Sequence, residues 1–168
     1  MGKITRINDT RRQFINDLCD LAHEDEAICL IIPDVGFNYA EKFSDLFPNR
    51  FFNFGVTEQS CMIIAASMAL SGMKPYVYSM INFVTFRVHE MVRNAVCMHD
   101  ANVKILGVKG SEKYKFLGFS HNLIREDEEI DFLSQLPNMT TYVATTASEA
   151  HVAILDSYKS EKPTYIRL

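Results

Sequence analysis

The chain has 168 residues, 48% of them hydrophobic, which suits one domain spanning residues 1–168 with a sizeable core rather than two domains. Its formal net charge of -4 gives no basic footprint for nucleic acid or for an anionic membrane, so neither is expected as a partner. No apolar run approaches the ~20 residues that a membrane-spanning helix requires, and we expect a cytoplasmic protein.

The four cysteines lie far apart in apolar stretches, and none forms the close pair that zinc sites use. They are Cys19, Cys29, Cys61 and Cys97. Reduced thiols in the core of a cytosolic protein are the simplest interpretation.

The first predicted element is an amphipathic helix. Thr10 and Gln13 have the spacing of a capping box, and apolar residues follow at helical intervals. A continuous aliphatic run at residues 28–32 then predicts a parallel strand that is covered on both faces.

Residues 50–72 pass from an aromatic strand through one turn into an apolar helix. Gly55 permits a tight turn, Thr57 can cap the helix, and Gly72 is a natural C-terminal stop. All but one of residues 61–70 are apolar, which predicts a helix that is buried on every side.

Glu58 lies at the junction of this strand and helix, in a crowded and poorly solvated place. Burial there would favour the protonated carboxyl, whereas the amino end of the helix would favour the carboxylate. The side chain could therefore hold or release a proton near neutrality. The alternative is a first-turn glutamate that only complements the helix dipole.

Strands and helices continue to alternate along the rest of the chain. Further strands are predicted at residues 76–80, 103–108, 140–143 and 164–166. One helix is predicted over residues 85–98 from its apolar spacing, and another follows a capping box made by Thr146 and Glu149. This pattern predicts an α/β fold: a doubly wound, mainly parallel sheet of about six strands with helices on both faces.

In such folds ligands bind beyond the carboxyl ends of the strands. Three predicted loops lie there, at residues 56–59, 79–83 and 109–122, and the last is long enough to be functional in itself. The sequence has no dinucleotide fingerprint, no P-loop and no nucleophile elbow, which removes those classes of enzyme from consideration.

A set of short motifs, in this order, resembles the pyrimidine-binding domain of transketolase-like thiamine diphosphate enzymes. The likeness extends from about Ile28 to the end of the chain. The motifs are Phe54-Gly-Val-Thr-Glu-Gln59, the Ala-rich helix to Gly72, Lys74-Pro-Tyr-Val-Tyr-Ser79, Phe83, Arg93-Asn94, Asn102-Val-Lys104, Ser120-His121, Leu136-Pro-Asn-Met139 and Pro163-Thr-Tyr-Ile-Arg-Leu168.

The resemblance implies roles for particular residues. Glu58 would bond the pyrimidine ring of thiamine diphosphate and help the cofactor to lose the proton of its thiazolium carbon. Phe83 would stack on the same ring, with core packing as the alternative. His121 would lie near the reacting oxygens of the substrate, with an exposed loop histidine as the alternative. Val56 and Met80 complete the implied cofactor-binding set.

Some positions depart from the family pattern. Leu117 stands where an aspartate would meet a substrate hydroxyl, and Met80 replaces one of the usual aromatic residues. Lys109, Lys113 and Lys115 could meet an anionic group or form a solvated basic loop. These changes leave cofactor handling plausible and put a simple sugar-phosphate donor in doubt.

The resemblance also implies a partner. In this family a separate domain with a Gly-Asp-Gly motif holds the diphosphate and Mg²⁺, a cation that suits oxygen ligands, and this sequence contains no such motif. We therefore expect no metal ligands in this chain and a second polypeptide that supplies them. We also expect an α2β2 assembly, in which small residues at 65–69 allow close helix packing across a two-fold axis. The chain alone should have no activity.

Three functions remain open. The first is the cofactor-activating subunit of a split transketolase-like enzyme that transfers a two-carbon ketol or acyl group from a small ketose or 2-oxoacid substrate. The second is a subunit of a thiamine-dependent 2-oxoacid decarboxylase or dehydrogenase. The third is a non-catalytic scaffold for the diphosphate-binding partner.

Overall fold

Six parallel strands, joined by helices, make up the part of the chain that the structure describes. This structure is a computed structural model that describes residues 8–110 and 112–168, without the side chains of residues 112 and 113. The strands are β1 (Ile28–Ile32), β2 (Phe51–Asn53), β3 (Lys74–Met80), β4 (Lys104–Val108), β5 (Thr140–Val143) and β6 (Thr164–Arg167). Their order in the sheet is β2-β1-β3-β4-β6-β5, and every neighbouring pair is parallel.

The helices cover both faces of the sheet, which confirms the predicted doubly wound α/β class. They are α1 (Thr10–Glu24), α2 (Glu41–Leu46), α3 (Glu58–Leu70), α4 (Ile81–Val84), α5 (His89–Met91), α6 (Glu128–Leu133) and α7 (Ala147–Lys159). Helices α1, α2 and α7 pack on one face, and α3, α6 and a π-helical turn over Val92–Cys97 pack on the other. A short 3-10 turn spans Pro48–Arg50, and further 3-10 turns lie within Glu112–Ser120, where Gly118 has non-helical backbone angles and interrupts them.

The strand residues alternate between two hydrophobic cores. In β1, Leu30 joins the cluster under α1, whereas Ile31 joins the cluster under α3. Both faces of this strand are buried, which explains its unbroken aliphatic sequence. The four cysteines are also buried and free, and burial raises the pKa of the Cys29 thiol to about 12.

The first capping prediction is wrong, and the second is confirmed. Asp9, not Thr10, caps α1, because its carboxylate accepts from the backbone N–H groups of Arg11 and Arg12 at 3.1 Å each. Gln13 is buried instead and donates to the carboxylate of Asp17. At α7 both bonds of the Thr146 capping box are present.

The prediction of one continuous helix over residues 85–98 is wrong, although apolar residues predicted to face the core are buried. Residues 85–88 interrupt it, α5 lasts one turn, and the π-helical turn follows. The Thr85 hydroxyl donates to the carbonyl of Ile81 at 2.7 Å, at the end of α4. Val88, Val92 and Val96 are still buried, because apolar spacing reports the covered face rather than the hydrogen-bond pattern.

Helix α3 is not buried on every side within this chain. Cys61, Met62 and Ala65 pack into the core, whereas Ile63 is 47% exposed and Leu70 is 59% exposed. The helix therefore has one face on the sheet and one partly apolar face in solvent, which also carries the exposed residues Ser60 and Ser67.

Lys104 is a buried ammonium at the start of β4. Its Nζ donates to the carbonyl oxygens of Ser160 at 2.8 Å and Lys162 at 2.9 Å. Burial lowers the pKa of Lys104 to about 8, and the nearby charge of Lys74 acts in the same direction. The charged form is therefore less favourable here than in the unfolded chain.

This burial predicts a pH-dependent stability difference between the wild type and Lys104→Met. Between pH 8 and 10.5 the unfolded chain binds the lysine proton and the folded chain does not, so the stability of the wild type rises with pH. The free energy of unfolding of the wild type minus that of the variant should rise by about 3 kcal/mol over this interval in urea titrations. A difference that stays flat would contradict the lowered pKa.

Candidate functional site

A cleft of about 540 Å³ opens at the carboxyl edge of the sheet. It lies over the ends of β1, β3 and β4. After β1 the chain forms the edge strand β2 on one side of β1 and then returns to form β3 on the other side of β1. Such a reversal of strand order is the usual ligand position in doubly wound folds. The lining includes all five residues that the sequence singled out, namely Val56, Glu58, Met80, Phe83 and His121.

Glu58 is the first residue of α3 and is only 7% exposed. Strand β2 ends at Asn53, and Gly55 turns the chain with a φ of +70°, a left-handed conformation that favours glycine. Thr57 occupies the capping position, but its hydroxyl donates to the carbonyl of Phe54 at 3.0 Å rather than accepting from the helix, so the predicted side-chain cap is wrong. The short turn between β2 and α3 thus places the buried carboxylate of Glu58 in the wall of the cleft.

Arg87 pairs with this carboxylate, and the sequence did not single it out. Its Nη1 lies 2.5 Å from Oε1 of Glu58, and its Cζ lies 3.9 Å from the centroid of the Phe83 ring. Arg87 stands in the interruption between α4 and α5, four residues after Phe83. A buried carboxylate without such a partner would be strongly unfavourable.

Phe83, on α4, is also in contact with His121. The two ring centroids are 4.9 Å apart and the planes meet at 77°, an edge-to-face arrangement. The Ser120 hydroxyl lies 2.7 Å from Nδ1 of His121. His121 is therefore half-buried against Phe83 and lines the cleft, whereas a role in the reaction stays a prediction.

The loop that carries His121 is fastened by asparagine side chains. Nδ2 of Asn82 donates to the carbonyls of Phe119 at 2.8 Å and Asn122 at 3.3 Å. Nδ2 of Asn122 in turn donates to the carbonyl of Gly118 at 2.8 Å. These bonds fix the loop against α4 although much of its surface is exposed.

The substituted positions in this loop also face the cleft. Leu117 and Lys109 both line it. Lys109 is already paired with Glu126 at 2.5 Å, so an anionic ligand group would compete with Glu126 for this ammonium. The side chain of Lys113 lies outside the described residues.

Val56 and Met80 give the cleft an apolar border. Val56 is 69% exposed on the turn before α3, and Met80 is the half-buried last residue of β3. Cys61, one turn into α3, has its pKa raised by burial, so its thiol is protonated at neutral pH and is unsuited to act as a nucleophile.

The loop after β1 also belongs to the site, and the sequence motifs gave no sign of it. Residues 33–39 line the cleft, and Asp34 and Asn38 have positive φ values. Oδ1 of Asn53 accepts from the backbone N–H groups of Asp34 at 3.1 Å and Gly55 at 3.0 Å, which ties the loops after β1 and β2 together. The available signal was the predicted parallel strand itself, whose carboxyl end belongs to the same edge.

The described part of the chain offers neither a metal centre nor a membrane helix. Over residues 8–110 and 112–168, no group of three or more His, Cys, Asp and Glu side chains could hold a metal ion. In the same ranges, no helix combines the length and apolarity that a membrane crossing would need.

Comparison with known proteins identifies the family. Residues 8–168 match the family model described as transketolase, pyrimidine binding domain. The chain therefore belongs to the family of transketolase pyrimidine-binding domains, and the resemblance found in the sequence motifs is confirmed.

Similar proteins include parts of two kinds of enzyme and one solved structure. The 1-deoxy-D-xylulose-5-phosphate synthase of Listeria monocytogenes is 34% identical over 80% of this chain and 22% of that protein. One of the subunits of the apulose-4-phosphate transketolase of Phocaeicola vulgatus is 29% identical over 94% of this chain and 50% of that subunit. A structure described as a split gene transketolase, inactive beta4 tetramer, is 31% identical, with a TM-score of 0.83 over 95% of this chain and 50% of that one. The chain thus spans half or less of the length of these relatives.

Removing the Asn82 amide should loosen the loop that carries His121. In Asn82→Ala the carbonyls of Phe119 and Asn122 lose their donor, so amide hydrogen exchange should accelerate over residues 114–122, with a stability loss of about 1 kcal/mol. Asn94→Ala is the matched control, because Asn94 is exposed and its Oδ1 accepts from Arg93 outside the cleft. Unchanged exchange in the loop of Asn82→Ala would contradict the fastening role.

Proposed function

We propose that residues 1–168 form a single pyrimidine-binding domain of a split transketolase-like enzyme, and that this domain activates thiamine diphosphate for the transfer of a two-carbon ketol or acyl group. The observation that carries the proposal is the meeting of a buried carboxylate, Glu58, and an aromatic ring, Phe83, in one cleft at the strand-order reversal. A flat heterocycle with a ring nitrogen can use both groups, the aromatic ring for stacking and the carboxyl group for a hydrogen bond to the nitrogen.

The cleft suits an aminopyrimidine in shape and in chemistry. Phe83 offers an aromatic face, and Met80 and Val56 offer apolar contact. The hydroxyl oxygen of Ser79 is buried in the lining and has no hydrogen-bond partner in the described part of the chain, so a polar group of a ligand could satisfy it. These features support thiamine diphosphate as the cofactor.

Each side chain then has a separate task. Glu58 would hold a proton at its carboxyl oxygen and exchange it with a ring nitrogen of the bound pyrimidine. Phe83 orients the ring by stacking, and His121, held by Ser120, stands ready to donate or accept a proton at the substrate oxygens. The bound cofactor supplies the nucleophilic carbon and the electron sink.

The diphosphate and Mg²⁺ are assigned to a partner polypeptide. The sequence lacks the Gly-Asp-Gly motif that the family resemblance attaches to Mg²⁺ binding. The similar solved structure is described as an inactive beta4 tetramer of a split gene transketolase, and the relative from Phocaeicola vulgatus is named as one subunit of a transketolase. These names support a chain that is inactive alone and requires a second subunit.

The exposed, partly apolar face of α3 supports an α2β2 assembly. Ile63 and Leu70 are large apolar side chains in solvent, and the exposed Ser67 between them would let another helix approach closely. Of the small residues at 65–69 that the sequence suggested for this contact, Ala65 and Ala66 are buried against the chain's own sheet, whereas Ser67 is exposed. The helix face proposed for the two-fold contact is therefore the one that carries Ile63, Ser67 and Leu70.

The donor substrate is proposed only as a small ketose or 2-oxoacid. Leu117 offers apolar contact where an aspartate would bond a hydroxyl, and a branched apolar side chain is a poor partner for a polyhydroxylated sugar. A screen of ketose phosphates, hydroxypyruvate and pyruvate, with the chain combined with its partner, would distinguish ketol transfer from 2-oxoacid chemistry.

Substitution of Glu58 tests the proposed function directly. Glu58→Gln keeps the size of the side chain but cannot relay a proton, so activity of the two-chain complex should fall by about 10²- to 10⁴-fold, the usual contribution of a positioned acid or base. Initial rates with the best substrate from the screen would measure the loss. Glu90→Gln, on α5 and outside the cleft lining, is the matched control and should retain the wild-type rate.

The same pair of variants separates a catalyst from a scaffold. A scaffold would keep full activity in Glu58→Gln, because it only stabilises the partner. That result would contradict the proposed function, provided that the variant complex has the wild-type mass and thermal stability.

A further inference from the structure

Arg87 makes two contacts in the cleft, an ion pair with a carboxylate and a cation–π contact with an aromatic ring. Its guanidinium donates to the carboxylate of Glu58 at 2.5 Å and lies over Phe83, with Cζ 3.9 Å from the ring centroid. A guanidinium is planar, delocalised and rich in N–H donors, which suits it both to carboxylates and to aromatic faces.

An aminopyrimidine has the same properties. It is planar and aromatic and carries an amino group, and the proposed function gives it the same two partners, the carboxylate of Glu58 and the ring of Phe83. We propose that Arg87 is an internal competitor of the cofactor: its guanidinium occupies the position of the pyrimidine ring and must leave before that ring can bind. This inference rests on the proposed function.

The electrostatics explain why such a competitor is useful. Glu58 is buried, and a buried carboxylate needs a partner at all times. Arg87 supplies that partner until a ligand replaces it. The pair therefore stabilises the fold around Glu58 when no cofactor is bound, and a bound cofactor has to replace the contacts that Arg87 gives up.

The local backbone allows the exchange to occur by side-chain rotation alone. The N–H of Arg87 donates to the carbonyl of Asn82 at 3.0 Å, and the side chain of Gln59 donates to the carbonyl of Arg87 at 3.4 Å, so the main chain is fixed on both sides. The side chain of Arg87 is 39% exposed, which leaves it a path towards solvent. The interruption between α4 and α5 places this residue directly over Phe83.

The proposal predicts opposite effects of one substitution on stability and on cofactor affinity. Arg87→Met keeps much of the length of the side chain but removes the competing donor and charge. Its complex with the partner should melt at a lower temperature than the wild type without cofactor, because Glu58 loses its partner. In calorimetric titrations with thiamine diphosphate and Mg²⁺, the same variant should bind the cofactor about tenfold more tightly. The cofactor then no longer has to break one ion pair and one cation–π contact before it binds.

Two further variants serve as references. Arg87→Lys keeps the charge without the planar fork, so its affinity should lie between those of the wild type and Arg87→Met. Arg125→Met removes an arginine that pairs with Asp131 at 2.6 Å on the surface, outside the cleft, and should leave the affinity unchanged. Equal or weaker binding by Arg87→Met than by the wild type would overturn the competitor role.

A second measurement needs no substitution. Phenylglyoxal modifies accessible arginines, and mass spectrometry can follow Arg87 in the wild-type complex. Addition of thiamine diphosphate and Mg²⁺ should accelerate modification of Arg87 several-fold relative to Arg125, because the released side chain turns towards solvent. Slower or unchanged modification would overturn the proposal.

The failure of this inference can be told apart from failure of the proposed function. A wild-type complex that binds the cofactor, together with an Arg87→Met variant of unchanged affinity, rejects only the competitor. A wild-type complex that does not bind thiamine diphosphate at all rejects both.

Discussion

The ion pair between Glu58 and Arg87 joins two segments that leave different strands of the sheet. Glu58 follows β2 after a turn of four residues, and Arg87 follows β3 after the short helix α4. Because the carboxylate is almost wholly buried, its position depends on having a partner of opposite charge within reach. The geometry of the cleft depends on this contact, since the same guanidinium also covers Phe83.

Parallel strand order brings these groups together. The carboxyl ends of β1, β2, β3 and β4 lie at one edge. The segments that follow these strands contribute, in order, residues 33–39, the carboxylate of Glu58, the ring of Phe83 and the imidazole of His121. Asn53 holds the first two loops together and Asn82 holds the fourth against α4. The site is thus assembled on a sheet edge by side-chain amides and by the ion pair of Glu58 and Arg87.

Much of this arrangement could be predicted from the sequence. The unbroken aliphatic run of β1 and the strand at residues 140–143 match the structure, because burial on both faces and β-branched composition are local signals. Glu58 was singled out at the junction of a strand and a helix, and the rule for parallel strands placed its turn at one edge with the loops at residues 79–83 and 109–122. The family motifs then indicated Phe83 and His121 in those loops.

Other features could not be read from local patterns. The interruption at residues 85–88 keeps the apolar spacing of a continuous helix, so periodicity alone missed it. Arg87 was missed for the same reason, since in an unbroken helix its charge needs no explanation beyond solvent exposure. Asp9 took the role predicted for Thr10 because two adjacent residues both carry side chains able to cap a helix.

The central claim is that Glu58 lies against the pyrimidine ring of the cofactor. A crystal structure of the chain in complex with its partner polypeptide, thiamine diphosphate and Mg²⁺ tests it most directly. The account predicts a carboxylate oxygen of Glu58 about 3 Å from a ring nitrogen of the pyrimidine, with the guanidinium of Arg87 no longer over Phe83. A pyrimidine bound elsewhere, with the pair of Glu58 and Arg87 intact, would contradict it.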